Sequence, residues 1–154
     1  MNVFVLSDNP QQAAKWHVDK HVVKMPLEAS QLLCSVYWMQ KIAAPYKMTH
    51  KNHPCAIFAR QSCLNFNWVY EYGKALCAEY TTRYGKVHKS LAVLDWCYNN
   101  SHELIFNEYE MTKFPLAMPN EYKVQCPIQS YRNYYKLGKA HLHNWKLNRP
   151  DWID

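Results

Sequence analysis

The sequence predicts a single compact all-α domain spanning residues 1–154, on three observations. Only three glycines occur in the chain, too few for the tight turns of a sandwich or barrel. Of the eight prolines, the seven other than Pro26 fall where prolines start helices and mark loops. Apolar residues make up 49% of the sequence and aromatics 15%, enough to fill a core without covalent staples.

About four helical segments follow in order. The first starts near Pro10, with Ser7, Asp8 or Asn9 as cap, and runs to about Lys41. Pro26 lies inside it; a mid-helix proline removes one backbone hydrogen bond and crowds the preceding turn, so a kink or a break with restart is expected there. Ala44-Pro45 closes the segment. A second runs from Pro54 to Tyr84, with a break expected near Ser62 and Gly85 as its stop. The third, Val87 to Tyr98, ends at Asn99-Asn100. A long loop with short turns, Ser101 to Gln125, carries Pro115 and Pro119. The last helix begins at Pro127 and continues to about Leu147, with an interruption at Gly138. Val3 to Leu6 has the composition of a short strand, though one strand makes no sheet.

Composition also bounds the environment. The start has no basic leader, and no apolar run is long enough to cross a bilayer, so a cytoplasmic protein without a membrane partner is expected. Six cysteines with no CxxC spacing are then expected as reduced thiols rather than a zinc site; no metal and no cofactor are assigned. A net charge of +6 favours acidic partners, nucleic acid first among them. No dense Lys/Arg run accompanies it, and a binder that relied on phosphate contacts alone would carry more. No feature demands a partner subunit, and a monomer is the default.

Chemistry is concentrated on the first helical segment. At about 100° per residue, His17, His21, Lys24, Glu28, Gln31 and Ser35 fall within a stripe roughly 80° wide. Val18, Val22, Met25, Ala29, Leu32, Leu33 and Val36 form the adjoining face, which should be buried. Cations beside a carboxylate favour its ionised form and partial burial opposes this, so Glu28 is placed to act as a general base or as electrostatic support for a cationic transition state. His21 is its expected partner, with His17, Lys24 and Gln31 as substrate contacts. The competing reading is a solvated face stitched by ordinary i,i+4 pairs.

Three further clusters stand out. His50 to Cys55 contains an HxxH that lacks the HExxH spacing of a catalytic zinc helix; His53 is read as the cap of the helix at Pro54 and as a candidate substrate contact. Glu79 and Arg83 form an i,i+4 pair, structural by default. Tyr131, Tyr134 and Tyr135 alternate with Arg132 and Lys136, as a base-stacking, phosphate-binding surface would; the alternative is a tyrosine-rich core helix with basic flanks.

Taken in chain order, these motifs resemble the pyrimidine-dimer DNA glycosylase (UV endonuclease) family of small all-helical base-excision enzymes. Asp19-Lys20-His21-Val22 with Glu28 seven residues after His21 is similar to the family's Asp-Gln-His-Leu and its catalytic glutamate. The stretch from His53 to Gly85, with Phe58, Leu64, Ala78-Glu79 and Arg83-Tyr84-Gly85, is similar to its second long helix. Tyr131 to Lys136 followed by Gly138-Lys139-Ala140 resembles its aromatic, basic segment facing DNA. The resemblance implies a DNA N-glycosylase acting on a damaged or modified base, extruded or distorted from the duplex. It implies Glu28 as catalytic carboxylate and the chain's α-amine as covalent nucleophile, permitting a later strand-cleaving lyase step. Because the bulk of Asn2 disfavours trimming of the initiator, that amine is expected to be Met1's. DNA contacts are implied for Lys20, Tyr131, Arg132, Tyr134, Tyr135 and Lys136.

Two positions depart from the family pattern. Where the family carries arginines immediately before its glutamate and three residues after it, this chain has Leu27 and Gln31. A leucine cannot replace a bidentate guanidinium, which points to a different substrate and keeps two other readings open. One is an enzyme of this fold cleaving a free nucleoside or nucleotide; the other is a nucleic-acid-binding module without catalysis.

Overall fold

A computed structural model describes all residues, 1–154, and has the predicted class: six α-helices and no strand. The first predicted segment resolves into α1 (Pro10–Lys15) and α2 (Asp19–Met39). The second resolves into α3 (Pro54–Gln61) and α4 (Cys63–Tyr84), parted at Ser62, whose hydroxyl caps α4 by accepting from Asn65 N. The helices α5 (Ser90–Asn99) and α6 (Pro127–Asn133) complete the set. Gly85 ends α4 at φ 67°, a left-handed conformation that costs glycine least.

The break in the first segment falls at Trp16–Val18, and α2 runs unbroken through Pro26. Distant groups explain the shift. The carbonyls of Lys15 and His17, which a continuous helix would direct along its axis, accept from Arg83 Nη2 (2.9 Å) and Nη1 (2.8 Å). The Trp16 carbonyl accepts from Trp145 Nε1 at 2.9 Å. Around Pro26, the carbonyl of Val23 accepts from His88 Nε2 at 2.8 Å, so a polar group of the α4–α5 loop supports the proline turn from outside.

At the centre of the bundle, α2 packs against α3, α4 and α5, while α1 packs on α4. Its predicted apolar face, Val18 through Val36, is fully buried but for 3% exposure at Met25. Where α2, α4 and α5 meet, a Cβ on Gly73 would stand 2.9 Å from a Leu94 methyl and 3.1 Å from Ala29 Cβ, so a larger residue would have to displace the Leu94 side chain.

Two predicted elements differ in the structure. Val3 to Leu6 is buried but is no strand: Phe4 N donates to Tyr72 Oη (3.4 Å) and the Leu6 carbonyl accepts from Arg132 Nε (2.9 Å), so side chains replace a partner strand. The last helix does not reach Leu147. It passes into a π turn at Tyr134–Gly138 and a 3-10 turn at Ala140–Leu142. The following strap is then held away from the helix axis. Asn144 Nδ2 bonds Asp19 Oδ2 (3.1 Å), Lys146 N bonds Asp19 Oδ1 (3.1 Å) and Asn148 Nδ2 bonds Glu79 Oε1 (2.8 Å).

Candidate active site

Three segments distant in sequence converge on a cavity of about 170 Å³. From α2 come His21, Lys24, Met25 and Glu28; the N-terminal run supplies Met1, Asn2 and Phe4; Tyr134 and Lys139 close it from the far end of the chain. Spacings of three, four and seven along α2 put its four residues on one side of the helix, because successive turns bring them into line.

Glu28 is only 7% exposed, so its carboxylate faces the cavity rather than bulk water. Its Oε1 lies 3.6 Å from the Met1 amine and 3.7 Å from Lys24 Nζ, and its Oε2 accepts from Asn2 N at 3.2 Å. The α-amine of the partly buried Met1 is therefore held beside a buried carboxylate. Asn2 fixes the pair: its Nδ2 donates to the Ala117 carbonyl (2.9 Å), while its Oδ1 accepts from Val3 N (2.7 Å) and the Cys55 thiol (3.6 Å).

The protonation of His21 follows from its partners. Tyr135 Oη accepts from Val18 N at 2.9 Å and sits 2.8 Å from His21 Nδ1. Fully buried and without another acceptor, the Tyr135 hydroxyl donates to Nδ1, which leaves the imidazole proton on Nε2 at the cavity wall. Phe4 stacks on the ring at 4.5 Å and 12°, fixing its plane. Burial above all, then the charges of His17, Lys139 and Lys24, lower the His21 pKa from 6.5 to about 2. His21 is thus a neutral N–H donor at physiological pH, not a proton shuttle.

His17 does not reach the cavity. It is fully buried, with Nδ1 donating to the Ala13 carbonyl (2.7 Å) and Nε2 accepting from Tyr72 Oη (2.8 Å), so both nitrogens are used structurally. Burial, and less strongly the Arg83 charge, lower its pKa to about 3 against a backbone hydrogen bond that raises it. Both rings lie below 6.5, so in acid the unfolded chain takes up protons that the native protein refuses. Their neutral burial is fully stabilising above about pH 6.5, and stability is lost as pH falls below it. At pH 5 the expected loss is about 2 kcal/mol for each ring, read as a drop in the urea midpoint from pH 7. A midpoint unchanged over that range would contradict neutral burial.

Other expected contacts are redistributed. Gln31, one turn beyond Glu28, is half-buried outside the cavity wall, and Lys20 is exposed on α2 away from it. His53 caps α3, its Nδ1 accepting from Cys55 N at 3.0 Å. Partial burial and then the nearby α-amine lower its pKa, but the ring does not line the cavity. Tyr131 and Tyr135 are fully buried and offer no face for a base to stack on; the Tyr131 hydroxyl bonds the Pro115 carbonyl. Of the aromatic segment only Tyr134 meets the cavity, while Arg132 and Lys136 face a different one.

Lys139 was absent from the residues expected at the site, although Gly138-Lys139-Ala140 had marked its neighbourhood. Its Nζ lies 5.1 Å from the Tyr134 ring centre and 5.8 Å from that of Phe4, and it has no carboxylate partner. Gly138 makes this possible: a Cβ there would stand 2.7 Å from the Tyr134 ring. Three amino groups, those of Met1, Lys24 and Lys139, thus line one cavity with a single carboxylate, an excess of positive charge suited to an anionic ligand.

A family model described as pyrimidine dimer DNA glycosylase matches residues 1–93. The match takes in Met1, His21, Lys24 and Glu28 and stops before Tyr134 and Lys139. No curated protein and no solved structure matches the chain.

Proposed function

The chain belongs to the pyrimidine dimer DNA glycosylase family, and on that premise we propose that it excises a damaged or modified base from DNA with Glu28 and the Met1 α-amine as its catalytic pair. The family implies a DNA-glycosylase type of repair function. The observation that carries the finer reading is the α-amine 3.6 Å from Oε1 of the buried Glu28, at the wall of a cationic cavity.

In the proposed reaction the amine nitrogen attacks C1′ of the deoxyribose. A C1′–N bond forms as the glycosidic bond breaks, and the base departs with that electron pair, taking a proton from solvent. Glu28 accepts the proton shed by the attacking amine. Opening of the sugar ring then gives an imine, from which strand cleavage by β-elimination can follow. The His21 Nε2–H is the neutral donor available to a sugar or phosphate oxygen. Lys24 and Lys139 supply positive charge for the flanking phosphates in place of the arginines missing at Leu27 and Gln31. A cavity of about 170 Å³ is smaller than pockets that enclose a whole ligand, typically about 300–1,000 Å³, and suits the reacting sugar with the rest of the strand outside.

Borohydride trapping tests this. Incubated with duplexes carrying a pyrimidine dimer or an abasic site, the protein should release base and yield a covalent adduct that maps to the N-terminal peptide. Protein whose α-amine is blocked should give no adduct. Base release without an adduct would replace the amine with a water molecule activated by Glu28. Turnover of a free nucleotide, insensitive to salt, with no action on any duplex would overturn the DNA reading.

A further inference from the structure

On another face of the same C-terminal region lies a second cavity of about 140 Å³, lined by Gln129, Arg132, Asn133, Lys136 and Trp152. The first four recur at i, i+3, i+4 and i+7, along one side of α6 and the π turn. No acidic side chain lines it.

Arg132 is held rigidly. Its guanidinium packs beside an edge-to-face pair of indoles, 5.2 Å from the Trp16 ring centre and 5.3 Å from that of Trp152, and its Nε donates to the Leu6 carbonyl at 2.9 Å. Both terminal nitrogens are left without a protein acceptor, so the planar fork is fixed in place with its bidentate edge unused. Lys136 gives one N–H to the main-chain oxygen of Asp154 (2.8 Å) and retains two. Asn133 Oδ1 accepts from Gln129 Nε2 at 2.9 Å, and Asn133 Nδ2 donates to the Tyr122 carbonyl at 3.4 Å. Trp152 lines the same wall, and its Nε1 is buried beneath the surface without an acceptor. Two cations with unpaired N–H groups around a cavity that no acidic side chain lines suit an oxygen-rich anion.

We infer that this cavity is a phosphoryl-binding site, separate from the Glu28 cavity, with Arg132 as its bidentate anchor and Lys136 as its second cation. A phosphoryl group there comes either from the backbone of bound DNA or from a free phosphate compound. The first source rests on the DNA reading above; the anion site itself does not.

The test titrates inorganic phosphate into ¹⁵N-labelled protein, with chloride at matched ionic strength as control, and follows the Trp152 indole and Arg132 Nε resonances. Both should shift saturably, with affinity reduced roughly tenfold in Lys136→Gln, whose exposed position keeps the fold intact. If duplex then displaces phosphate, and Lys136→Gln lowers the salt-dependence slope of duplex binding by about 0.9, the source is DNA backbone. Phosphate binding that duplex leaves untouched supports the site with a free phosphoryl ligand instead. Phosphate shifts no larger than those of the chloride control would overturn the inference, whatever the protein does at Glu28. The Glu28→Gln protein must give the same titration, so loss of base chemistry and loss of this site are read separately.

Discussion

Replacing Glu28 by glutamine should reduce base release by about 10²- to 10⁴-fold, the usual contribution of a positioned general acid–base group. That range corresponds to roughly 3–5.5 kcal/mol of transition-state stabilisation. The substitution keeps the size of the side chain, and an amide oxygen can still accept from Asn2 N, which now bonds Oε2 at 3.2 Å. What disappears is the capacity to take a proton from the amine 3.6 Å away. The effect should therefore fall on the single-turnover rate and on the yield of borohydride adduct, while duplex affinity changes little. Salt dependence should also be retained, since Lys24 and Lys139 stay in place. Equal single-turnover rates for wild type and Glu28→Gln on a substrate that is demonstrably cleaved would remove Glu28 from the mechanism.

The largest effect on stability is expected at Arg83. Its side chain is fully buried and holds two buried carboxylates, Glu79 Oε1 through Nε and Asp19 Oδ1 through Nη1, both at 2.9 Å. It also bonds the carbonyls of His17 and Lys15, which end α1 and set the entry to α2. Arg83→Met leaves both acids buried without their cation, a loss of about 3–5 kcal/mol by analogy with other broken buried pairs. For a chain of this size the melting temperature should fall by about 6–20 °C. Arg83→Lys should recover little of this, because one ammonium cannot reach four acceptors in a fixed plane. Adding Asp19→Asn and Glu79→Gln to Arg83→Met should restore part of it by removing the unpaired charges. A fall of less than 1 kcal/mol in Arg83→Met would show that water or rearranged partners already satisfy the acids. Because Asp19 begins the helix that carries Glu28, the same variants should lose activity before they unfold globally.

The sequence alone determined what is local. Sparse glycine and proline-edged apolar runs gave the all-α class, Ser62 and Gly85 gave helix limits, and 3.6-residue periodicity gave the buried face of α2. It also singled out Glu28 with His21 and Lys24 on one stripe, a relation fixed by spacing within one helix. Tertiary structure decided whether that stripe met water or a cavity, since the residues that cover it are Met1 to Phe4 and Tyr134 to Lys139, far away in sequence. It moved the helix break from Pro26 to Trp16–Val18 through Arg83 and Trp145. It likewise drew Tyr131 and Tyr135 into the core while leaving Tyr134 at the cavity, though all three share one aromatic, basic run. Periodicity reports which side chains share a face. Which faces are covered depends on chain segments that periodicity does not connect, and burial by those segments is what turns a charged stripe into a site with a neutral imidazole and an enclosed acid.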